Sequence, residues 1–78
     1  MKIKIQASYE LTDTYGGEAN YSWVRRGEVE ATSEREIVRL VKAELGMTNF
    51  KGHRKDYGDM LEFRPYGLLQ VLFITFRY

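Results

Sequence analysis

The chain has 78 residues, no cysteine, one histidine and a formal net charge of +1. This length predicts one small domain. The lack of cysteine excludes disulfides, a thiolate zinc site and a cysteine nucleophile. A single histidine leaves no two-histidine metal motif and few general bases near neutral pH. The near-zero charge disfavours both a strongly basic nucleic-acid binder and an acidic nucleic-acid mimic. We expect one α+β domain over residues 1–78, with no cofactor and no metal.

Large aromatic side chains supply much of the predicted core. The chain has six tyrosines, four phenylalanines and one tryptophan, and each buried aromatic removes about 150–250 Å² from water. The first residues alternate in polarity and lack the apolar segment of a secretory signal. The longest apolar run, Val71–Ile74, is far shorter than the roughly 20 residues of a membrane span. We expect a cytoplasmic protein without a membrane partner, as a monomer or a homodimer.

Two alternating segments begin the chain. Residues 2–11 alternate between apolar and polar side chains, and this period of two predicts a half-buried strand. Its apolar face consists of Ile3, Ile5, Ala7, Tyr9 and Leu11. Residues 12–18 contain adjacent glycines, which favour a turn, and residues 20–31 alternate again. The pattern predicts a long β-hairpin.

Trp23 is the most informative side chain of the second segment. Tryptophan and arginine are enriched in interface hot spots, so Trp23 with Arg25 and Arg26 is a candidate contact. Trp23 is in phase with Tyr21 and Val29, however, which favours a position in the core. Arg25 interrupts this face, so we expect its side chain to reach solvent or to pair with an acid such as Glu62. Gly27 within the strand pattern indicates a bulge or the close approach of another group to the backbone.

A helix is predicted after the hairpin. Ser33 and Glu36 have the spacing of a capping box, in which each side chain bonds the backbone N–H of the other residue. The apolar face that follows comprises Ile37, Val41 and Leu45. Gly46 stands where a left-handed residue ends many helices. These signals predict an amphipathic helix over residues 34–45.

The remaining chain predicts three strands. Residues 49–55 and 60–64 are short strand candidates separated by a turn at 56–59, and residues 65–67 form another turn. Residues 68–78 are apolar on both faces, which is typical of a strand at the centre of a sheet or at an interface. The predicted fold is α+β, with a two-layer antiparallel sheet of four to five strands, one helix packed on a face, and the order β-β-α-β-β-β.

Basic residues form a candidate nucleic-acid surface. Lys51, Arg54 and Lys55 make the densest basic patch, and Arg35 lies on the predicted helix. Lysine and arginine side chains can contact phosphates in this way. If residues 49–55 form an edge strand, the same charges would instead prevent aggregation through that edge. Binding of nucleic acid is therefore an alternative function.

Candidate catalytic groups are few. Asp56, Asp59 and Glu62 are close in sequence, but both aspartates fall in a predicted turn, where their side chains bond the local backbone. The sequence contains no calcium-loop spacing, phosphate-binding glycine loop or nucleophile elbow. His53 has no nucleophile partner in the nearby sequence. We therefore expect that the protein is not an enzyme.

Four segments carry a resemblance to small proteins encoded by bacteriophages and prophages. These segments are Ser22–Val29, Tyr57–Met60, Arg64–Pro65 and Leu72–Ile74. The best-known group of this size is the anti-CRISPR proteins, which this chain resembles in its small size and its lack of cysteine. The resemblance implies an inhibitor that binds a bacterial CRISPR effector or a related defence complex in the host cytoplasm and blocks target DNA access. It assigns no residue a role, because that group has no shared motif.

An inhibitor of this kind would cover a protein surface. A standard interface needs about 800 Å² from each partner, which one sheet face or one loop end of a small domain offers. The candidate partner contacts are Tyr15, Glu18, Arg25, Arg26, Asp56, Tyr57, Arg64 and Tyr66. A third hypothesis is a homodimeric assembly protein with residues 69–78 at its interface.

Overall fold

The computed structural model describes residues 4–78, which form one five-stranded antiparallel sheet and one helix. The elements are β1 (Ile5–Tyr15), β2 (Glu18–Ala31), α1 (Glu34–Glu44), β3 (Gly52–Asp56), β4 (Met60–Pro65) and β5 (Gln70–Arg77). This order confirms the predicted α+β fold. Lys2 and Ile3, which belong to the predicted first strand, lie outside the described residues. Within residues 4–78, no helix has the length and apolar character that crossing a membrane requires.

The sheet order places the last strand in the middle. The strands lie in the order β2-β1-β5-β4-β3, so β5 is central and β2 and β3 are the edges. The apolar character of β5 on both faces predicted this position correctly. Both edges of β5 are hydrogen-bonded to strands of the same chain, so β5 is not available for edge pairing with a second copy.

The core lies between helix α1 and one face of the sheet. Ala7 and Leu11 on β1 are buried there as predicted, whereas Ile5 and Tyr9 are only partly buried. The buried core residues are Ala7, Leu11, Ala31, Ile37, Val41, Leu45, Met47, Leu61, Phe63, Leu72, Ile74 and Phe76. The opposite face of the sheet has no helix and carries mostly polar and charged side chains, as a one-sided antiparallel sheet does.

The ends of the helix agree with the sequence signals. Ser33 Oγ accepts a hydrogen bond from the backbone N–H of Glu36 at 3.2 Å, as the capping box predicts. The reciprocal bond of the capping box, from the Ser33 N–H to Glu36, is not formed within residues 4–78, where the Glu36 carboxylate pairs with Arg39 at 3.1 Å instead. At the other end Leu45 is the C-cap and Gly46 follows with φ +71°. The left-handed conformation of Gly46 ends the helix where the sequence predicted it would.

Candidate protein-binding surface

Strand β2 contains an insertion that the alternating pattern does not show. The pairing register between β1 and β2 shifts between Thr12 and Thr14, so that residues 20–23 have Asp13 alone as their counterpart. Tyr21 in this insertion has φ 56°, a left-handed conformation that is rare for residues other than glycine. We call residues 20–23 the β2 bulge. A bulge of this kind redirects side chains away from the regular faces of a sheet.

The side chain of Thr12 on β1 is hydrogen-bonded to the backbone of the β2 bulge. Its side chain is completely buried, and its hydroxyl accepts from the backbone N–H of Tyr21 at 3.0 Å and donates to the carbonyl of Trp23 at 2.8 Å. A polar side chain in this position is stable because both of its bonding capacities are used. The hydroxyl replaces ladder bonds that the bulge has lost.

The side chain of Asp13 on β1 is hydrogen-bonded to two other residues of the β2 bulge. Its carboxylate accepts from the backbone N–H of Ser22 at 2.9 Å and from the side-chain amide of Asn20 at 3.0 Å. Hydrogen bonding by the side chain of Ser22 first, then by the side chain of Asn20, and to a smaller extent by the Ser22 N–H, lowers the pKa of Asp13 from 3.8 to about 2. The bulge is therefore shaped by two adjacent polar side chains of β1.

The bulge overturns two expectations about the hairpin. Trp23 is 40% exposed and lies outside the core cluster, so the prediction of a core tryptophan is wrong. The bulge breaks the alternation, and the phase of residues 20–23 no longer follows the phase of the later strand. Arg25 reaches solvent as expected. The proposed ion pair with Glu62 does not form, because β1 and β5 lie between their two strands, and Glu62 pairs with Arg64 at 2.9 Å.

An open hollow of about 560 Å³ lies on the sheet face away from the helix. Phe73 and Met60 contribute apolar surface to its lining, and Tyr21 of the bulge borders it. Glu10 and Arg26 form an ion pair of 2.9 Å in the lining, and the bond from Arg26 holds the pKa of Glu10 below its usual value. The hollow is open, and its lining combines the Glu10–Arg26 pair with the carboxylate of Glu28, which has no ion-pair partner among the described residues.

Two turns meet at one end of the sheet. The backbone N–H of Thr14 donates to the carbonyl of Leu69 at 2.9 Å, and Arg64 Nη1 donates to the carbonyl of Gly17 at 2.7 Å. The β1–β2 turn and the β4–β5 turn are thereby fixed to each other. We call this surface the hairpin end. It is formed by Tyr15, Glu18, Tyr66, Leu68 and Leu69.

The hairpin end exposes large apolar side chains. Tyr15 is 81% exposed, Leu69 78% and Tyr66 69%, and Leu68 is exposed as well. Single exposed apolar residues are ordinary, but several on hydrogen-bonded neighbouring turns make a surface of the kind that binds proteins. Tyrosine is also enriched in interface hot spots.

The structure divides the predicted partner contacts into separate places. Tyr15, Glu18 and Tyr66 lie at the hairpin end, and the guanidinium of Arg64 reaches it. Asp56 and Tyr57 lie at the opposite end of the sheet, in the connection between β3 and β4. Arg25 and Arg26 are successive residues of β2, so their side chains point to opposite faces. One surface therefore gathers Tyr15, Glu18, Arg64 and Tyr66.

Sequence reasoning missed Leu68 and Leu69 as surface residues. It placed both in the apolar last strand, but β5 begins only at Gln70. The turn predicted at Pro65–Gly67 could have indicated their exposure. Residues that directly follow a turn can belong to the connection as well as to the next strand. Gly67 has φ +77°, so the turn lasts at least that far.

The predicted nucleic-acid residues do not form one surface. Arg35 lies in the first turn of the helix, and Lys51 precedes β3. Arg54 and Lys55 are successive residues of β3 and point to opposite faces of it. The strand is an edge, as the alternative interpretation assumed. Charges on an edge prevent unspecific strand pairing.

Comparisons with known proteins add no assignment. Searches against protein-family models, curated proteins and solved structures found no match to this chain. Within residues 4–78, no group of histidine and acidic side chains has the arrangement of a metal site. The candidate function therefore rests on the surfaces of the fold.

Proposed function

We propose that this protein is a non-enzymatic inhibitor that binds a partner protein through the hairpin end. The observation that carries the proposal is the exposure of Tyr15, Tyr66 and Leu69 on two turns that hydrogen bonds fix together. Side chains held on ordered turns lose less conformational entropy on binding than side chains on a mobile loop. The hydrogen bonds between the two turns therefore favour binding at the hairpin end.

The charges around the hairpin end suit a protein partner. Glu18 and Arg64 lie beside the exposed apolar side chains, and Arg64 keeps its bond to Gly17. An apolar centre with charged residues at the rim is the usual composition of a protein interface. The cations needed for a nucleic-acid surface are instead spread over the helix, a loop and both faces of β3.

The partner to test first is a bacterial CRISPR effector. The resemblance of Ser22–Val29 and the other segments to small phage proteins supports this choice. In the proposed mechanism the hairpin end covers a surface that the effector needs for target DNA. An inhibitor of this size works by occupying space, since an interface of about 800 Å² per partner is within its reach.

The experiment is a phage-challenge assay in hosts with active CRISPR systems, followed by binding to the purified effector that responds. We expect the wild-type chain to restore phage growth in one system type. Leu69→Asp should abolish the effect and weaken effector binding by at least tenfold, because it places a charge in the apolar centre. Tyr66→Ser should act in the same direction.

Tyr57→Ser is the matched control, since Tyr57 is an exposed tyrosine at the opposite end of the sheet. It should leave inhibition and binding unchanged. Interference that persists across the common system types in the presence of the wild-type chain would overturn the proposed partner. Equal loss of binding in Tyr57→Ser and Tyr66→Ser would overturn the proposed surface.

A further inference from the structure

The outer edge of β2 is long, regular and unpaired within the described chain. After the bulge, Val24–Ala31 pairs with β1 in one continuous register, and β2 has no second neighbour in the sheet. Beyond that ladder, no backbone hydrogen bond within residues 4–78 involves Val24–Ala31. Alternate residues of an edge strand direct their N–H and C=O groups outward. This edge can therefore accept another strand.

The charges along this edge are self-complementary. Arg26, Gly27 and Glu28 follow one another, and the two charged side chains lie on the same face of the sheet. We propose that two copies of this chain pair antiparallel through β2, with the two-fold axis at Gly27. In that register Arg26 of each copy lies opposite Glu28 of the other. Two reciprocal ion pairs then flank the axis, as the symmetry of a two-fold dimer requires.

The charge pattern selects this register over its neighbours. Moving the axis by one residue would place Arg26 opposite Arg26 or Glu28 opposite Glu28, and like charges directly opposite are unfavourable. Glu28 forms no ion pair with any described residue, so it is free for a partner. Arg26 is bonded to Glu10 but its side chain remains 66% exposed.

Gly27 itself is suited to lie on the axis. The ring of Tyr9 on β1 lies over Gly27 and occupies the space that a side chain there would fill. An aromatic ring over a glycine in the neighbouring strand keeps that part of an edge strand extended and covered. The backbone at the centre of the pairing is therefore ordered without a side chain of its own.

The other edge of the sheet provides the comparison. On β3, Arg54 and Asp56 have the same spacing as Arg26 and Glu28. A two-fold axis between them would lie at Lys55 and would place Lys55 opposite Lys55. β3 is also the shorter strand, with 5 residues against 14 in β2. The pairing of opposite charges across a two-fold axis therefore favours self-association at β2, and the pairing of two lysines disfavours it at β3.

The experiment measures the oligomeric state of the full chain by sedimentation and light scattering over a range of concentrations. We expect a reversible dimer for the wild type. Arg26→Glu and Glu28→Arg should each weaken self-association by roughly tenfold, because two attractive pairs become two repulsive ones. An equimolar mixture of the two variants should form a heterodimer with near wild-type affinity, since every Arg–Glu pair is then restored. Arg26→Glu lacks the intrachain contact to Glu10 both as a free chain and as a paired chain, so this loss cancels in the association free energy.

Arg54→Glu and Asp56→Arg on β3 are the matched controls, with the same charge changes at the same spacing. They should leave self-association unchanged. A wild-type chain that stays monomeric at high concentration overturns the proposal. It is equally overturned if the β3 variants weaken the dimer as much as the β2 variants, or if the mixture does not restore it. Self-association through β2 does not involve the hairpin end, and the two proposals are tested by separate measurements: the oligomeric state for β2 and effector binding for the hairpin end.

Discussion

Two adjacent polar side chains, Thr12 and Asp13, control the shape of the hairpin. The buried hydroxyl of Thr12 bonds the backbone of Tyr21 and Trp23, and the carboxylate of Asp13 bonds Ser22 and Asn20. Without these acceptors the bulge would leave backbone N–H groups unpaired, and unpaired groups are costly. The exposed position of Trp23 is a consequence of these bonds.

The acid dependence of stability should show the contribution of Asp13. Its pKa is about 2 in the folded chain and 3.8 ordinarily, so its carboxylate stabilises the fold above about pH 4, and that contribution is lost as the pH falls toward about 2. We expect the difference in unfolding free energy between the wild type and Asp13→Asn to be constant near neutral pH and to shrink over this acid range. The measurement is urea unfolding at a series of pH values. A difference that does not change with pH would contradict the role given to the carboxylate.

At the scale of elements, the bulge gives β2 two different parts. Residues 20–23 leave the regular pairing and expose aromatic side chains, whereas Val24–Ala31 pairs with β1 in one uninterrupted register. The helix behaves more simply, because its start and end are both set by local hydrogen bonds. Local signals of this kind act within one turn of chain and depend little on the rest of the fold.

The N-cap of the helix is open to a direct test. Ser33→Ala removes the acceptor for the backbone N–H of Glu36, and we expect a loss of about 1 kcal/mol in the free energy of unfolding. Ser33→Asp should retain most of the stability, because aspartate caps helices as well as serine does. Thr32→Ala, at the exposed neighbouring position, is the control and should cost little. The measurement is chemical unfolding followed by circular dichroism, and equal losses for Ser33→Ala and Thr32→Ala would contradict the cap.

At the scale of the whole molecule, stability and recognition use different apolar residues. Leu72, the third residue of the middle strand β5, is completely buried between β1 and β4 and belongs to the core cluster. Leu69, three positions earlier in the sequence, is 78% exposed at the hairpin end. The two leucines are separated by the start of β5, so one belongs to the core and the other to a surface.

This separation predicts losses of stability of very different size for the same substitution at the two leucines. Leu72→Ala should destabilise the chain by about 2–5 kcal/mol, because it removes buried methyl groups and leaves a cavity in the core. Leu69→Ala should change the unfolding free energy by about 0.5 kcal/mol or less, as surface substitutions do. Thermal and urea unfolding of both variants provide the measurement. Similar losses at the two positions would show that Leu69 is part of the core.

Most of the fold was predictable from the sequence. The alternation in β1, the helix over 34–45 and the turn glycines depend on short-range physics, and the structure confirms them. The central position of the last strand followed from its two apolar faces. The candidate surface was predictable only in part, because Tyr15 and Tyr66 could be placed in turns but nothing local showed that the two turns touch.

The sequence by itself determined the element order, the helix ends and the strand that lies at the centre, because each depends on periodicity or on contacts within a few residues. Only the tertiary structure decided that residues 20–23 leave the ladder and that Trp23 is exposed, since this requires hydrogen bonds to Thr12 and Asp13 on another strand. The tertiary structure also decided which charged side chains share a face of the sheet edge. The +1 net charge gave no sign of an edge on which Arg26 and Glu28 flank a glycine on one face, because a total carries no positions.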